Sequence, residues 1–194
     1  MSALPRPSVI ALAGPNGAGK STLGPVLLRD TLAVHHFVNA DVIAQGLSAF
    51  APEREAFSAG RIMLRRLHEL AESGDTFAFE TTLAGRGFAP WLTLLLARGY
   101  EFHLIFLWLP SAELAIARVA SRVARGGHSV PQRTVERRYN SGLVNFFDLY
   151  RDLATTWRLF DASGPVRLLA TQDKIIDAET WGTVLETAGR RCGV

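Results

Sequence analysis

Residues 14–21 read Gly-Pro-Asn-Gly-Ala-Gly-Lys-Ser and match the spacing G-x-x-x-x-G-K-[ST] at every required position. The three glycines allow a tight turn with no Cβ in the way of a phosphate. Successive backbone N–H groups and a helix N-terminus give such a turn positive partial charge. Lys20 can reach outer phosphates, and the Ser21 hydroxyl can ligate Mg²⁺. The predicted ATP-binding residues are Gly14, Pro15, Asn16, Gly17, Ala18, Gly19, Lys20, Ser21 and Thr22, with Ser21 also the metal ligand.

The alternative interpretation of this stretch is a glycine-rich turn between a strand and a helix that carries a lysine by chance. The composition argues against it, because the chain has 21 Lys and Arg residues but only two of them, Lys20 and Lys174, are lysines. One of the two therefore stands at the phosphate-binding position. The stretch predicts a nucleotide-binding protein.

Polar side chains also follow two short apolar segments, residues 35–39 and 76–79, which are predicted to be strands. In open α/β sheets, ligands bind beyond the carboxyl ends of the strands, so Asp41 and the run Glu80-Thr81-Thr82 are expected over one site. Carboxylates and hydroxyls there suit a polar substrate or Mg²⁺-bound water. The structural alternatives are capping roles: Asp41 for a helix at 42–47, and the second group for the turn after it.

An arginine-rich segment at residues 118–140 is predicted to be a lid. Arg118, Arg122 and Arg125 are spaced i, i+4 and i+7, so they line one helical face. Residues 126–131, which begin Gly-Gly, break this helix, and further arginines follow on the next one, at 133, 137 and 138. The guanidinium fork matches phosphate oxygens, which favours a helical hairpin that folds over a triphosphate. The alternative is a solvated cationic face.

The remaining pattern predicts the fold class. Apolar strands are expected at 9–13, 101–110 and 157–161, with an edge strand at 166–171, and helices at 21–32, 52–73, 88–98, 140–155 and 178–191. Strands that alternate with helices after a phosphate-binding turn indicate a P-loop NTPase fold, with three α/β/α layers around a mainly parallel sheet. A single domain over residues 1–194 is expected, with the lid inserted in it.

Composition limits the classes of function. With 194 residues and 48% hydrophobic residues, the chain can bury a core, and no apolar run is long enough to span a membrane. No signal peptide is visible, and the lone Cys192 has no partner in the chain for a disulfide, so a cytoplasmic location is expected. The net charge is only +3 and the arginines are spread along the chain, which does not indicate a nucleic-acid partner.

The ordered motifs G-P-N-G-A-G-K-S-T, F-V-N-A-D, F-A-F-E-T-T-L-A-G-R, R-V-A-R-G-G-H-S-V-P and R-R-Y resemble the zeta-toxin family of P-loop kinases, in particular a short bacterial branch of predicted ATPases. The resemblance covers roughly residues 8–165. It implies phosphoryl transfer from ATP to a hydroxyl of a small molecule, which in the best-known members is UDP-N-acetylglucosamine. It also implies a small antitoxin protein as a partner. Ala44 stands where the family typically has an arginine after the base.

By motif position, the resemblance implies that Asp41 is the general base and that Lys20, Arg125 and Arg138 are catalytic. Arg125 and Arg138 are the predicted pair that neutralises phosphate charge, and Arg122 and Arg137 are the alternatives for that pair. Arg122 is also included among the predicted ATP-binding residues. The predicted substrate-binding residues are Asp41, Glu80, Thr81, Thr82 and Arg86. Because the strand ending near Pro110 carries no aspartate for the metal, Mg²⁺ is expected on Ser21, phosphates, water and either Asp41 or Glu80.

Two other functions remain open on the sequence. In one, the acceptor is a nucleoside, a nucleotide or a polynucleotide end. In the other, the chain is an ATP-binding switch that hydrolyses ATP slowly and signals to a protein partner. The cluster of Asp41, Glu80 and Thr81 favours an enzyme, since a switch needs no base aimed at a hydroxyl.

Overall fold

A computed structural model describes residues 6–31, 34–127 and 129–190 of the chain. Cys192, predicted to have no disulfide partner, and His128 in the predicted lid tip lie outside these ranges. Six strands form one sheet in the order β2-β3-β1-β4-β5-β6. Their bounds are β1 Ser8–Ala13, β2 His36–Val38, β3 Phe77–Thr81, β4 Glu101–Trp108, β5 Thr156–Asp161 and β6 Arg167–Thr171.

The first five strands are parallel, and β6 pairs antiparallel with β5 at the edge of the sheet. The central strands read as continuous apolar runs because both of their faces are covered by helices. In β1, for example, all residues from Val9 to Ala13 are buried. The structure therefore confirms the predicted fold class, including an edge strand close to the predicted 166–171.

Eight helices are present in the described residues. They are α1 Lys20–Gly24, α2 Ala40–Leu47, α3 Ala56–Glu72, α4 Phe88–Ala97, α5 Ala112–Ala124, α6 Gln132–Asn145, α7 Arg151–Leu153 and α8 Ala178–Thr187. Helix α1 continues as a π-helix over Pro25–Thr31, a 3-10 turn at Pro52–Glu55 precedes α3, and a π-helix at Phe146–Tyr150 joins α6 to α7.

The helices form a layer on each side of the sheet. One apolar cluster packs α3, α4, α8 and the π-helix 146–150 against the sheet, and the other packs the helix after the P-loop together with α5. Helix α6 belongs to both, because Val135 and Tyr139 lie in the second cluster whereas Leu143 lies in the first. Helix α6 therefore crosses over the carboxyl ends of the strands from one face to the other.

Two details of strand and helix ends differ from the sequence interpretation. Strand β3 extends to Thr81, so Glu80 and Thr81 are its last residues rather than members of a following turn. The cap of α2 is Asn39, whose Oδ1 accepts hydrogen bonds from the N–H groups of Asp41 and Val42. The interpretation of Asp41 as the N-cap is therefore wrong, and its carboxylate is not needed for capping.

Candidate functional site

The phosphate-binding turn follows β1 directly and ends where α1 begins. Gly14 has φ 136°, and a Cβ there would lie 2.3 Å from the carbonyl oxygen of Leu107 on β4, so a side chain is excluded. Gly19, with φ 87°, precedes the first helical residue, Lys20. The turn therefore leads tightly from β1 into the start of α1, and such a turn can present backbone N–H groups to a phosphate.

Lys20 is buried beneath this turn. Its Nζ donates hydrogen bonds to the carbonyl oxygens of Gly14, at 2.8 Å, and Pro15, at 2.9 Å, and lies 3.6 Å from Oε1 of Glu80. Burial lowers the pKa of Lys20 below its ordinary value, and the nearby carboxylates of Glu80 and Asp41 oppose that effect. The ammonium group is therefore held in a desolvated position next to the turn, where an anion would stabilise its charge.

Glu80 links the turn to the neighbouring strands. Its Oε2 accepts hydrogen bonds from Ser21 Oγ at 2.9 Å and from Asn39 Nδ2 at 2.7 Å. A hydroxyl and a carboxylate beside a phosphate-binding turn are the oxygen donors that Mg²⁺ prefers, and they fit an ion that also takes phosphate and water ligands. The described residues contain no group of three or more His, Cys, Asp or Glu side chains that could hold a metal ion.

A cleft opens over these residues and has two halves. One half, a cavity of about 370 Å³, lies along the turn and α5, and the other, about 190 Å³, lies over the ends of β2 and β3. We name them the nucleotide half and the acceptor half after the roles proposed for them below. Asn16, Lys20, Asp41 and Glu80 line both halves. The cleft therefore places the phosphate-binding turn and a second polar region on either side of a shared set of polar and charged groups.

The other lining residues divide between the two halves, whereas Gly14, Pro15 and Ala18 of the predicted ATP-binding set line neither. Among the described residues, the nucleotide half is also lined by Gly17, Gly19, Ser21, Thr22, Arg118, Ser121, Arg122 and Arg125. The acceptor half is also lined by Asn39, Ala40, Met63, Thr81, Thr82, Phe88 and Arg138. Helices α5 and α6 pack against each other, which agrees with the predicted helical hairpin.

The arginines of the predicted lid are not equivalent in the structure. The Arg138 guanidinium makes a long 3.5 Å contact with Oδ1 of Asn16, whereas Arg137 is exposed and lines neither half. Arg125 bonds to Ser121, one turn earlier on α5, through both the backbone oxygen and the hydroxyl. Arg122 lines the nucleotide half. The geometry thus brings Arg122, Arg125 and Arg138 to the cleft and leaves Arg137 outside it.

Arg118 lines the nucleotide half, but its guanidinium is bonded to carbonyl groups of the protein. Its guanidinium donates to the backbone oxygens of Ala162, at 2.7 Å, and Ser163, at 2.6 Å, and makes a 3.5 Å contact with the oxygen of Gly17. These groups belong to the segment after β5 and to the P-loop. Arg118 therefore ties α5 to two other parts of the nucleotide half.

Arg86 is the one predicted substrate-binding residue that does not line the cleft in the part of the chain that the structure describes. It is exposed in the connection between β3 and α4. Its positive charge opposes the rise that burial causes in the pKa of Tyr150.

Sequence reasoning missed five lining residues: Asn39, Ala40, Met63, Phe88 and Ser121. Asn39 stands in the F-V-N-A-D motif directly before the helix, so its preference for N-cap positions was a usable signal. Met63 and Phe88 look like ordinary apolar helix residues, and nothing local in the sequence separates them from core residues. Their placement depends on how α3 and α4 pack over β3.

Residues 9–141 match the model of a family described as an AAA domain (AAA_33). A curated relative from Haemophilus influenzae (strain ATCC 51907 / DSM 11121 / KW20 / Rd), described as an uncharacterized protein, is 29% identical over 126 residues. That alignment covers 65% of this chain and 88% of the relative.

Solved structures show the same fold at low identity. A chain of the AvrRxo1-ORF1:-ORF2 complex with ATP gives a TM-score of 0.75 at 19% identity, over 92% of this chain and 63% of that one. A chain from the PezAT chromosomal toxin–antitoxin system of Streptococcus pneumoniae gives 0.67 at 14% identity, over 98% and 81%. The chain thus spans under two thirds of the AvrRxo1 chain. These likenesses show a P-loop kinase-like fold.

Across the described ranges, none of the helices has the length and the apolar content that crossing a membrane requires.

Proposed function

Because the chain belongs to the AAA domain family AAA_33 and has a P-loop kinase-like fold, we propose that it transfers the γ-phosphoryl group of ATP to a hydroxyl of a small molecule. The observation that carries the proposal is the two-part cleft. A nucleotide half and a polar acceptor half meet at Lys20, Asp41 and Glu80. A phosphoryl donor and an acceptor bound on the two sides would approach each other at these groups.

The nucleotide half is suited to hold the triphosphate. N–H groups of the turn would bind the β- and γ-phosphates, and Lys20 would exchange its bonds to the carbonyl oxygens of Gly14 and Pro15 for bonds to phosphate. Ser21 and Glu80 would hold Mg²⁺. When bound, this ion neutralises charge on the β- and γ-phosphates.

Asp41 is the candidate general base. It lies at the start of α2, lines both halves of the cleft, and is released from capping by Asn39. In the proposed step the acceptor oxygen forms a bond to the γ-phosphorus while the bond from that phosphorus to the β–γ bridging oxygen breaks. The hydroxyl proton passes to the Asp41 carboxylate, and ADP leaves.

The lid arginines would stabilise charge on the transferred group. Arg122 and Arg125 approach from α5 and Arg138 from α6, so cations border the cleft on two sides. Closure of this hairpin would also exclude water, which limits wasteful hydrolysis of ATP. Residues 118–140 are therefore proposed to act as a lid within a single domain.

The proposed acceptor class includes a UDP-sugar such as UDP-N-acetylglucosamine, with a small antitoxin protein as the regulator. The support is the resemblance of the motifs to zeta-toxin kinases, together with the fold shared with a chain of the PezAT toxin–antitoxin system. Thr81 and Thr82 supply hydroxyls to the acceptor half, and Met63 and Phe88 supply an apolar surface. Such a surface suits a molecule with both a polar edge and an apolar face.

The test is to incubate the protein with ATP, Mg²⁺ and a metabolite panel that contains UDP-sugars and nucleosides, and to search by mass spectrometry for a compound that gains one phosphoryl group. We expect one product from the wild type and a rate lower by about 10²–10⁴-fold for Asp41→Asn, the usual contribution of a general base. Asp173→Asn is the matched control, because Asp173 is exposed beyond β6 at the opposite edge of the sheet.

Phosphate release with no acceptor modified, and equal rates for wild type and Asp41→Asn, would contradict the kinase mechanism. That outcome would favour the nucleotide-dependent switch. If the phosphoryl group is found on a polynucleotide or a nucleoside, the kinase mechanism stands and the proposed acceptor class is wrong.

A further inference from the structure

The connection between β3 and α4 borders the acceptor half and has an unusual backbone. Leu83 has φ 53° and is, among the residues that the structure describes, the one non-glycine residue with positive φ. It is also buried, at 1% exposure. A left-handed leucine is costly and persists only where surrounding contacts enforce it, which occurs most often at functional sites. The contacts that enforce it here can be identified.

Four consecutive carbonyl groups of this connection are held by α6 and the π-helix that follows. Asn145 Nδ2 donates to the oxygens of Leu83, at 2.8 Å, and Ala84, at 3.3 Å. The Tyr150 hydroxyl donates to the oxygen of Gly85 at 2.8 Å. The oxygen of Thr82 packs so tightly on Gly142 that a Cβ there would lie 2.3 Å away.

The other end of the same connection is held by Thr81. Its Oγ1 accepts a hydrogen bond from the Leu83 N–H at 3.1 Å. This bond uses a lone pair of Oγ1, and in the described part of the chain no residue accepts the hydroxyl hydrogen of Thr81. That hydrogen is therefore available to an oxygen of a molecule in the acceptor half.

The contacts from α6 lie on a single face of the helix. Arg138, Gly142 and Asn145 are spaced i, i+4 and i+7, which places them on one side. Arg138 lines the acceptor half, and Gly142 contacts Thr82. Asn145 donates to the carbonyl oxygens of the next two residues in the connection, Leu83 and Ala84. One face of α6 thus carries both Arg138 of the proposed lid and the residues that hold the connection between β3 and α4.

We propose that Asn145 is a positioning residue for the acceptor: through the left-handed Leu83 it sets where Thr81 and Thr82 present their hydroxyls. The inference rests on the proposed function and adds to it a residue that does not line the cleft. Asn145 is 7% exposed, and its amide is needed as a donor because both of its partners are carbonyl oxygens. A carboxylate of the same shape would repel those oxygens.

The test compares Asn145→Asp and Gly142→Ala with the wild type and with Tyr139→Phe. The control removes one buried hydrogen bond of the same helix, from the Tyr139 hydroxyl to the Leu109 oxygen, at the end of β4 and away from the acceptor side. The probe is the fraction of a bacterial metabolite extract below about 3 kDa, titrated by dilution against γ-labelled ATP. Transfer of label to any extract compound is measured while extract and ATP are varied separately.

We expect both test variants to need at least about tenfold more extract for half-maximal transfer, with the half-saturating ATP concentration unchanged within about twofold. Tyr139→Phe is expected to leave both values unchanged even if its melting temperature falls. Hydrogen exchange of the Leu83 amide should quicken in Asn145→Asp, while exchange in the P-loop should not. The second variant keeps the test decisive if Asn145→Asp does not fold.

Equal shifts in the extract and ATP dependence, or shifts in Tyr139→Phe that match those of the test variants, would overturn the inference and leave the kinase proposal standing. Wild-type protein that labels nothing in the extract would instead overturn the proposed function, and the inference with it. The two failures are therefore distinguishable by the wild type alone.

Discussion

At the scale of single residues, Glu80 contacts three other polar side chains of the site. One carboxylate oxygen accepts from Ser21 and Asn39, and the other lies 3.6 Å from the Lys20 ammonium. The sequence interpretation made Glu80 a substrate ligand, or with Asp41 a candidate for the metal. From the contact with Ser21, the proposed metal ligand, we infer the metal role for Glu80, and we propose Thr81 and Thr82 for the acceptor.

Replacement of Glu80 by glutamine tests this role. The amide keeps the shape and can still accept from Ser21, but it removes the charge that would attract Mg²⁺. We expect the Mg²⁺ concentration for half-maximal activity to rise by about 10- to 100-fold, while metal-free ATP binds at least as tightly as to the wild type. Titrations of activity with Mg²⁺ and of ATP binding in EDTA measure the two effects.

Glu72→Gln is the control for this change, because Glu72 is exposed at the end of α3. If the Glu80→Gln variant had an unchanged Mg²⁺ requirement and a weakened acceptor dependence, the substrate role would be correct instead.

Lys20 predicts a pH dependence of nucleotide binding. Burial lowers its pKa from the ordinary value of 10.5 in the free protein, and bound phosphates would raise it again. Binding of ATP therefore takes up protons at alkaline pH, and affinity should fall as the pH rises through the lowered pKa. Isothermal titration of ATP across this range should show the decline, and Lys20→Arg, which stays charged, should flatten it. A flat profile for the wild type would contradict the assignment.

At the scale of elements, the position of α5 over the P-loop depends on Arg118. The sequence grouped Arg118 with the phosphate-facing lid arginines, but its guanidinium is directed to the carbonyl oxygens of Ala162 and Ser163. A planar fork with several donors can contact these groups together, whereas an ammonium group reaches fewer of them. Arg118 is therefore better explained as the link between the base of the lid and the segment after β5.

Arg118→Lys is expected to weaken ATP binding by roughly tenfold and to lower the melting temperature, because lost hydrogen bonds from a charged donor typically cost about 1.5–3 kcal/mol. Calorimetry and thermal unfolding with and without ATP measure the two effects. The control is Arg54→Lys, which changes an exposed arginine of the 3-10 turn before α3 and should alter neither. Unchanged ATP affinity in Arg118→Lys would show that this link does not organise the nucleotide half.

At the scale of the whole molecule, Asp161 joins the two last strands of the sheet. This buried carboxylate accepts from the Ser163 N–H at 2.8 Å and from Arg167 on β6. Although burial raises its pKa, the hydrogen bonds from Ser163 and Arg167 outweigh that effect and hold the pKa below its ordinary value of 3.8. A carboxyl group with a lowered pKa stabilises the fold above 3.8 and loses this contribution as the pH falls toward the folded-state pKa.

Asp161→Asn is accordingly expected to lower the free energy of unfolding by about 1–3 kcal/mol at neutral pH, with a smaller difference from the wild type below about pH 4. Urea unfolding at a series of pH values measures it, with exposed Asp173→Asn as the control. A difference that stays constant on acidification would mean that the charge of Asp161 does not contribute.

Much of the architecture was predictable because it depends on short stretches of chain. The strand–turn–helix at 8–22 is encoded by an apolar run, glycines that accept positive φ and a helix start, all within fifteen residues. The end of α5 before the two glycines that follow Arg125 is equally local. The mainly parallel sheet follows from the alternation of strands and helices.

The partners of Glu80, Arg118 and Asn145 were not predictable in this way. Their contacts join residues 59, 45 and 62 positions apart, and depend on strand order and on the path of α6 across the sheet. By itself, therefore, the sequence determined the phosphate-binding turn, the fold class and the residues at the strand ends. Only the tertiary structure decided which of them meet, because a carboxylate or guanidinium carries no local signal of the partner that packing brings to it.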